Sequence, residues 1–186
     1  MRFEDQQAIQ QLITDLLVSQ DESRNVIQSI ARLSGNYENA ARIVQGGIVP
    51  ALMQIIDNPS HPSAAAAAEA LRVIVLSVQS ISLPNATQAV GLHTFNGRQA
   101  LSSAFSSSTG LGPLVRLATR GPGSPGAASA AVALATFAIR PVHGYLDDGP
   151  SIDRERLGRQ QEDALYAAMG ALLEADTGGK KGAVTL

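Results

Sequence analysis

The sequence predicts an all-α protein built from stacked helix triplets, and three observations carry that expectation. Apolar residues recur at three- and four-residue spacing in segment after segment, the period of one face of an α-helix. Two elbows of the same make, Gly46-Gly47-Ile48-Val49-Pro50 and Gly110-Leu111-Gly112-Pro113, each join a short helical pattern to a more apolar one. Hydrophobic residues are 45% of the 186, yet aromatics are 4% and tryptophan is absent. Burial must therefore rest on Ala, Leu, Ile and Val, which suit close helix–helix contact.

Taken in order, Glu4 to Val18 reads as an amphipathic helix with Ile9, Leu12, Ile13, Leu16 and Leu17 on one face. Ser19 to Asp21 breaks it, and Asp21 or Ser23 is expected to cap the next helix by accepting a bond from an orphan backbone N–H. That helix carries Val26, Ile27, Ile30 and Leu33 and ends at Gly35-Asn36. A short helix, Asn39 to Gln45, stops at Gly46-Gly47, because glycine relieves the steric cost of a left-handed closing residue. A second opens around Ile48 to Pro50, where proline's fixed φ and missing N–H suit a first helical turn. Its apolar face is Ile48, Leu52, Ile55 and Ile56. A third spans Ala64 to Ser77 with Leu71, Ile74, Val75 and Val78 in register.

Beyond it the pattern loosens. Ser80 to Thr94, with Leu83-Pro84-Asn85 and Gly91, reads as an inserted loop, and Asn96 to Leu101 as a restarted short helix. The second elbow follows, then a turn cluster from Arg120 to Gly126, then a helix from Ala127 to Ile139 that buries Ala130, Leu134 and Phe137. Pro141 stops that helix. After a loop, residues 151–176 read as a C-terminal helix, or two short ones broken near Gly158, with Leu165, Met169, Leu172 and Leu173 on one face. Residues 177–186 read as a flexible tail.

The run Asn39, Ile43-Val44, Gly46-Gly47-Ile48-Val49-Pro50 and Leu52, with the later Ala70-Leu71, resembles an armadillo repeat. Ile13 answers Leu52 and Ile30 answers Leu71 at roughly forty residues, the short end of the armadillo and HEAT period of about 40–47. The resemblance implies a right-handed α-solenoid over residues 1–176, with units at about 4–35, 36–79 and 95–140, irregular loop insertions, and the helix at 151–176 as a C-terminal cap. HEAT-like helix pairs are the alternative fold; the short helices at Asn39 and Asn96 tell against them. The first unit lacks its short helix, so the chain is expected either to be a slice of a longer repeat protein or to be capped by its own termini.

The same resemblance implies a protein–protein interaction scaffold. In the family the third helices line the concave face and receive an extended or helical segment of another protein. Carried over by position, the lining residues here are Gln28 and Arg32, Glu69 and Val73, Val132 and Thr136, with Arg24 and Arg72 at the rim. Nuclear import receptors place Trp and Asn at such positions to hold basic peptides. Neither residue type stands at any of them here, which argues against import-signal binding. A structural slice with no ligand of its own, or an enzyme with a site assembled from loops, are the competing readings.

Composition narrows the field further. A net charge of −2 gives no basic stripe for phosphate, so nucleic acid is not the expected partner. The absence of cysteine excludes disulfides and thiolate metal sites, and the expected setting is cytoplasmic or nuclear. No apolar run approaches the ~20 residues that span a bilayer, so membrane insertion is not expected. Charged residues are 16%, below the ~25% of ordinary domains, which suggests surface covered by a neighbour. Gly121 to Gly126 fits G-x-G-x-x-G in letters, but its two prolines and helical flanks suit an interhelical turn, not a pyrophosphate cradle. His61, His93 and His143 fall in separate loops without zinc-ligand spacing, and Asp147-Asp148 lacks the spacing of a calcium loop. No cofactor, metal or catalytic residue is expected.

Overall fold

The computed structural model describes residues 3–18, 20–58, 60–79, 88–106, 110–121 and 123–139, together with Arg159, Tyr166 and Gly170. Among them all regular structure is α-helical: α1 (Phe3–Val18), α2 (Gln20–Leu33), α3 (Tyr37–Gln45), α4 (Ile48–Asp57), α5 (Ala64–Gln79), α6 (Gln88–Phe105), α7 (Gly112–Ala118) and α8 (Ala127–Ile139).

Local chemistry sets the boundaries. Asn36 caps α3: its side-chain oxygen accepts from the backbone N–H of Glu38 at 2.9 Å and of Asn39 at 3.4 Å. That satisfies two of the donors a helix start leaves open. At the elbow into α4, Gly47 has φ 89°, a left-handed turn that a side chain would resist. Gly110 makes the matching positive-φ turn before α7, and Pro113 sits in the first turn of that helix. The C-terminal carbonyls of α5 are met from another helix. The Arg98 guanidinium in α6 donates to the carbonyls of Val78 at 3.3 Å and Gln79 at 3.2 Å.

Packing follows a period of three helices. α1 packs on α4 and α4 on α7; α2 packs on α5 and α5 on α8; α3 packs on α6. Within a triplet, α3 and α4 both lie against α5, and α7 lies against α8. One apolar cluster runs through these contacts from Leu16 to Phe137. Among the described residues it is aliphatic except for Phe105 and Phe137, whose rings are set edge to face with centroids 4.7 Å apart. Fully buried Leu52, Leu71 and Leu134 each add about 1.5–3 kcal/mol of transfer free energy.

Small residues let the helices approach. A Cβ on Gly97 of α6 would sit 2.9 Å from the Ala41 Cβ of α3, and one on Gly126 would sit 2.8 Å from the Ala65 Cα of α5. At the α2–α5 seam, the hydroxyls of Ser23 and Ser63 share a buried hydrogen bond of 2.8 Å. Between α4 and α7 the exposed pair Asp57–Arg116 closes the C-terminal side.

Three sequence expectations need correction. α2 begins at Gln20, so Asp21 and Ser23 lie inside the helix and do not cap it; Ser23 is spent on Ser63 across the seam. Residues 88–94, expected as loop, belong to α6. Gly91 is the sole breaker there, and one glycine costs a helix only about 1 kcal/mol. Leu33, expected in the buried face of α2, is 51% exposed, because Ile27, Ile30 and Ser34 take the inward positions. The expected C-terminal helix and tail lie outside the described residues, except that Arg159, Tyr166 and Gly170 are each helical. No helix among the described residues is long and apolar enough to cross a membrane.

Candidate binding face on α2, α5 and α8

The seven residues expected to line a groove all fall on one row of neighbouring helices. Gln28 and Arg32 are on α2, Glu69, Arg72 and Val73 on α5, and Val132 and Thr136 on α8. α5 and α8 run parallel, because Ala65 meets Gly126 and, one turn on, Glu69 meets Ser129, in the same order. None of the seven is fully buried: Gln28 and Arg32 are exposed and the other five are half-buried.

The centre of the row is a small polar network. Arg72 grips the Glu69 carboxylate with two bonds, Nε to Oε2 at 2.8 Å and Nη2 to Oε1 at 2.6 Å. This is the fork geometry that makes guanidinium–carboxylate pairs directional. The Ser129 hydroxyl in α8 donates to the same carboxylate at 2.8 Å. Glu69 is therefore the point at which α5 and α8 are polar-bonded to each other. Its pKa is held below the usual carboxylate value, first by the Arg72 bonds and further by the Ser129 hydroxyl, against an opposing contribution from partial burial. Arg72 is raised in turn by the same pair. The spacing of Glu69 and Arg72, three apart on one helix, announces their pairing in the sequence. Ser129 carries no such signal, because its partner lies on another helix.

Around that network the α5 and α8 parts of the row are free of other charges. Val73 and Val132 are half-buried, and α8 carries no charged residue at all. The Thr136 hydroxyl donates back to the Val132 carbonyl at 2.8 Å, a bond made within α8. On α2, Arg24, Gln28 and Arg32 recur every fourth residue and all are exposed. Neither arginine forms an ion pair among the described residues. The arrangement offers hydrogen-bond donors and half-covered aliphatic surface.

The loop residues weighed as chemistry behave as turn elements where they are described. His61 Nδ1 accepts the Ser63 backbone N–H at 3.1 Å just before α5. The run from Gly121 to Gly126 joins α7 to α8, with positive φ at both of those glycines. The side chain of His93, and His143, Asp147 and Asp148 as a whole, lie outside the described residues. Among the described residues no three His, Asp or Glu side chains converge as a metal site requires. A scan against protein-family models finds no family that matches the chain, and a search of curated proteins finds no match.

Proposed function

We propose that this chain is a protein–protein interaction scaffold of the armadillo type, a right-handed superhelical stack whose α2–α5–α8 row receives a peptide or helical segment of another protein in the cytoplasm or nucleus. The observation that carries this reading is the three-helix period of the packing. Each helix leans on the one three further along, in all three rows. A chain that stacks in this way builds an extended lateral surface from equivalent helices, the kind of surface on which repeat proteins bind. The positive-φ elbows at Gly47 and Gly110 precede α4 and α7, and their recurrence supports the armadillo reading. Basic import signals are not the ligand on this reading, since Gln28, Arg32, Glu69, Val73, Val132 and Thr136 supply neither indole cages nor amide clamps.

The test is capture from the chain's own cells with the wild-type protein and with Gln28→Ala/Arg32→Ala. Both side chains are exposed, so the double variant should keep the wild-type unfolding midpoint. Proteins held by the wild type and lost from the variant support the reading; an identical captured set from both removes α2 from the binding face.

A further inference from the structure

We infer that Arg72 anchors the ligand of the row, and that what it anchors is the uncharged main chain of an extended segment. The inference rests on the scaffold reading and narrows it from a peptide or helix to an extended peptide. Its argument is the balance of donors and acceptors where α5 meets α8. The Glu69 carboxylate is largely filled: Oε1 accepts from Arg72 Nη2, and Oε2 accepts from both Arg72 Nε and the Ser129 hydroxyl. Arg72 is not filled. A guanidinium carries about five N–H donors in one plane. Glu69 takes one from Nε and one from Nη2, and Nη1 makes no bond among the described residues. The Arg72 side chain is 31% exposed, so it is within reach of a ligand.

Charge decides what that ligand is. Glu69 and Arg72 are the only charged residues of α5, they cancel, and α8 has none. A ligand carboxylate at Arg72 would meet the Glu69 charge at close range. A cation would find carboxylate oxygens that are already bonded. A carbonyl oxygen accepts from the remaining N–H donors and brings no charge of its own. Carbonyls are open along an extended segment, whereas a helix keeps all but its last four bonded to its own amides. The fork onto Glu69 also fixes the guanidinium before binding, so less side-chain freedom is lost on association.

The probe is a random-peptide library displayed on phage and selected against the full chain, with affinities of the enriched peptides measured by fluorescence anisotropy. These peptides should need no charged residue and should hardly weaken as salt is raised. An isotope-labelled one should show extended Cα chemical shifts in the complex. Arg72→Ala, at an unchanged thermal midpoint, should weaken them about tenfold, the loss of one bond from a charged donor. Replacing one peptide amide by an ester, a poorer acceptor, should weaken binding to the wild type at one position and leave binding to Arg72→Ala unchanged there. Selection against Glu69→Gln, which leaves the Arg72 charge uncompensated, should instead enrich Asp and Glu. Wild-type peptides that require a carboxylate and weaken with salt, or that are helical when bound, would overturn the main-chain assignment. Peptides lost on Gln28→Ala/Arg32→Ala but indifferent to Arg72→Ala would overturn the anchor and leave the scaffold reading standing. No enrichment, or peptides indifferent to every variant, would overturn the anchor and the face together.

Discussion

The Glu69 carboxylate has two donors on two helices, and that decides what replacing it should do. Its folded-state pKa lies below the unfolded value of about 4.3. Its contribution to stability is therefore complete above that value and is lost as pH falls through the lower, folded one. The pair is nearly half exposed on the glutamate side, so screening keeps its worth at or below about 1 kcal/mol. Glu69→Gln should lower the urea unfolding free energy by less than about 1 kcal/mol at pH 7. The gap between variant and wild type should close at acid pH, below the usual carboxylate range. A gap that persists unchanged in acid would mean that the carboxylate charge is not what joins Arg72 and Ser129.

Helix existence was legible where one face is strongly apolar. α4, α5 and α8 appear where the periodicity predicts them, since Leu52, Leu71 and Leu134 with their three- and four-residue neighbours point one way. Helix starts were less legible. The α3 start at Tyr37 depends on Asn36 turning its amide onto the backbone, and α6 runs through Gly91 because no proline follows Pro84 in that stretch. The close approach of α3 and α6 was not legible either, for a glycine in a helix says nothing of what it faces. Gly97→Ala should test that approach. Overpacking against Ala41 costs about 1–3 kcal/mol, and helix propensity returns about 1 kcal/mol, leaving a net loss on denaturation. Adding Ala41→Gly should restore part of it, so that the double variant is more stable than the two single changes summed. Strict additivity would place the two residues out of contact.

At the scale of the whole molecule, the all-α class was readable from composition and period, but the partnership between rows was not. Sequence spacing near forty residues suggested that Ile13 answers Leu52 and Ile30 answers Leu71. It could not say that a hydroxyl at Ser23 would meet one at Ser63, or that Ser129 would reach back to Glu69. The candidate face was legible in the same partial way. Its helices are those that the armadillo resemblance implies for a proposed face, and the Glu69–Arg72 pair is readable from its spacing, while the Ser129 bond to Glu69 emerges only when α8 is in place beside α5.

The three-helix stacking period is the claim on which the scaffold and the proposed face both stand. It is tested most directly by replacing Ser23 and Ser63 with cysteine, in a chain that has no other cysteine, and oxidising the pair. The account predicts a monomeric, internally bridged α2–α5 product whose unfolding free energy is raised by about 2–4 kcal/mol. A pair that stays reduced under mild oxidation, or that bridges only between molecules, would contradict the packing of α2 on α5 and the row built from it.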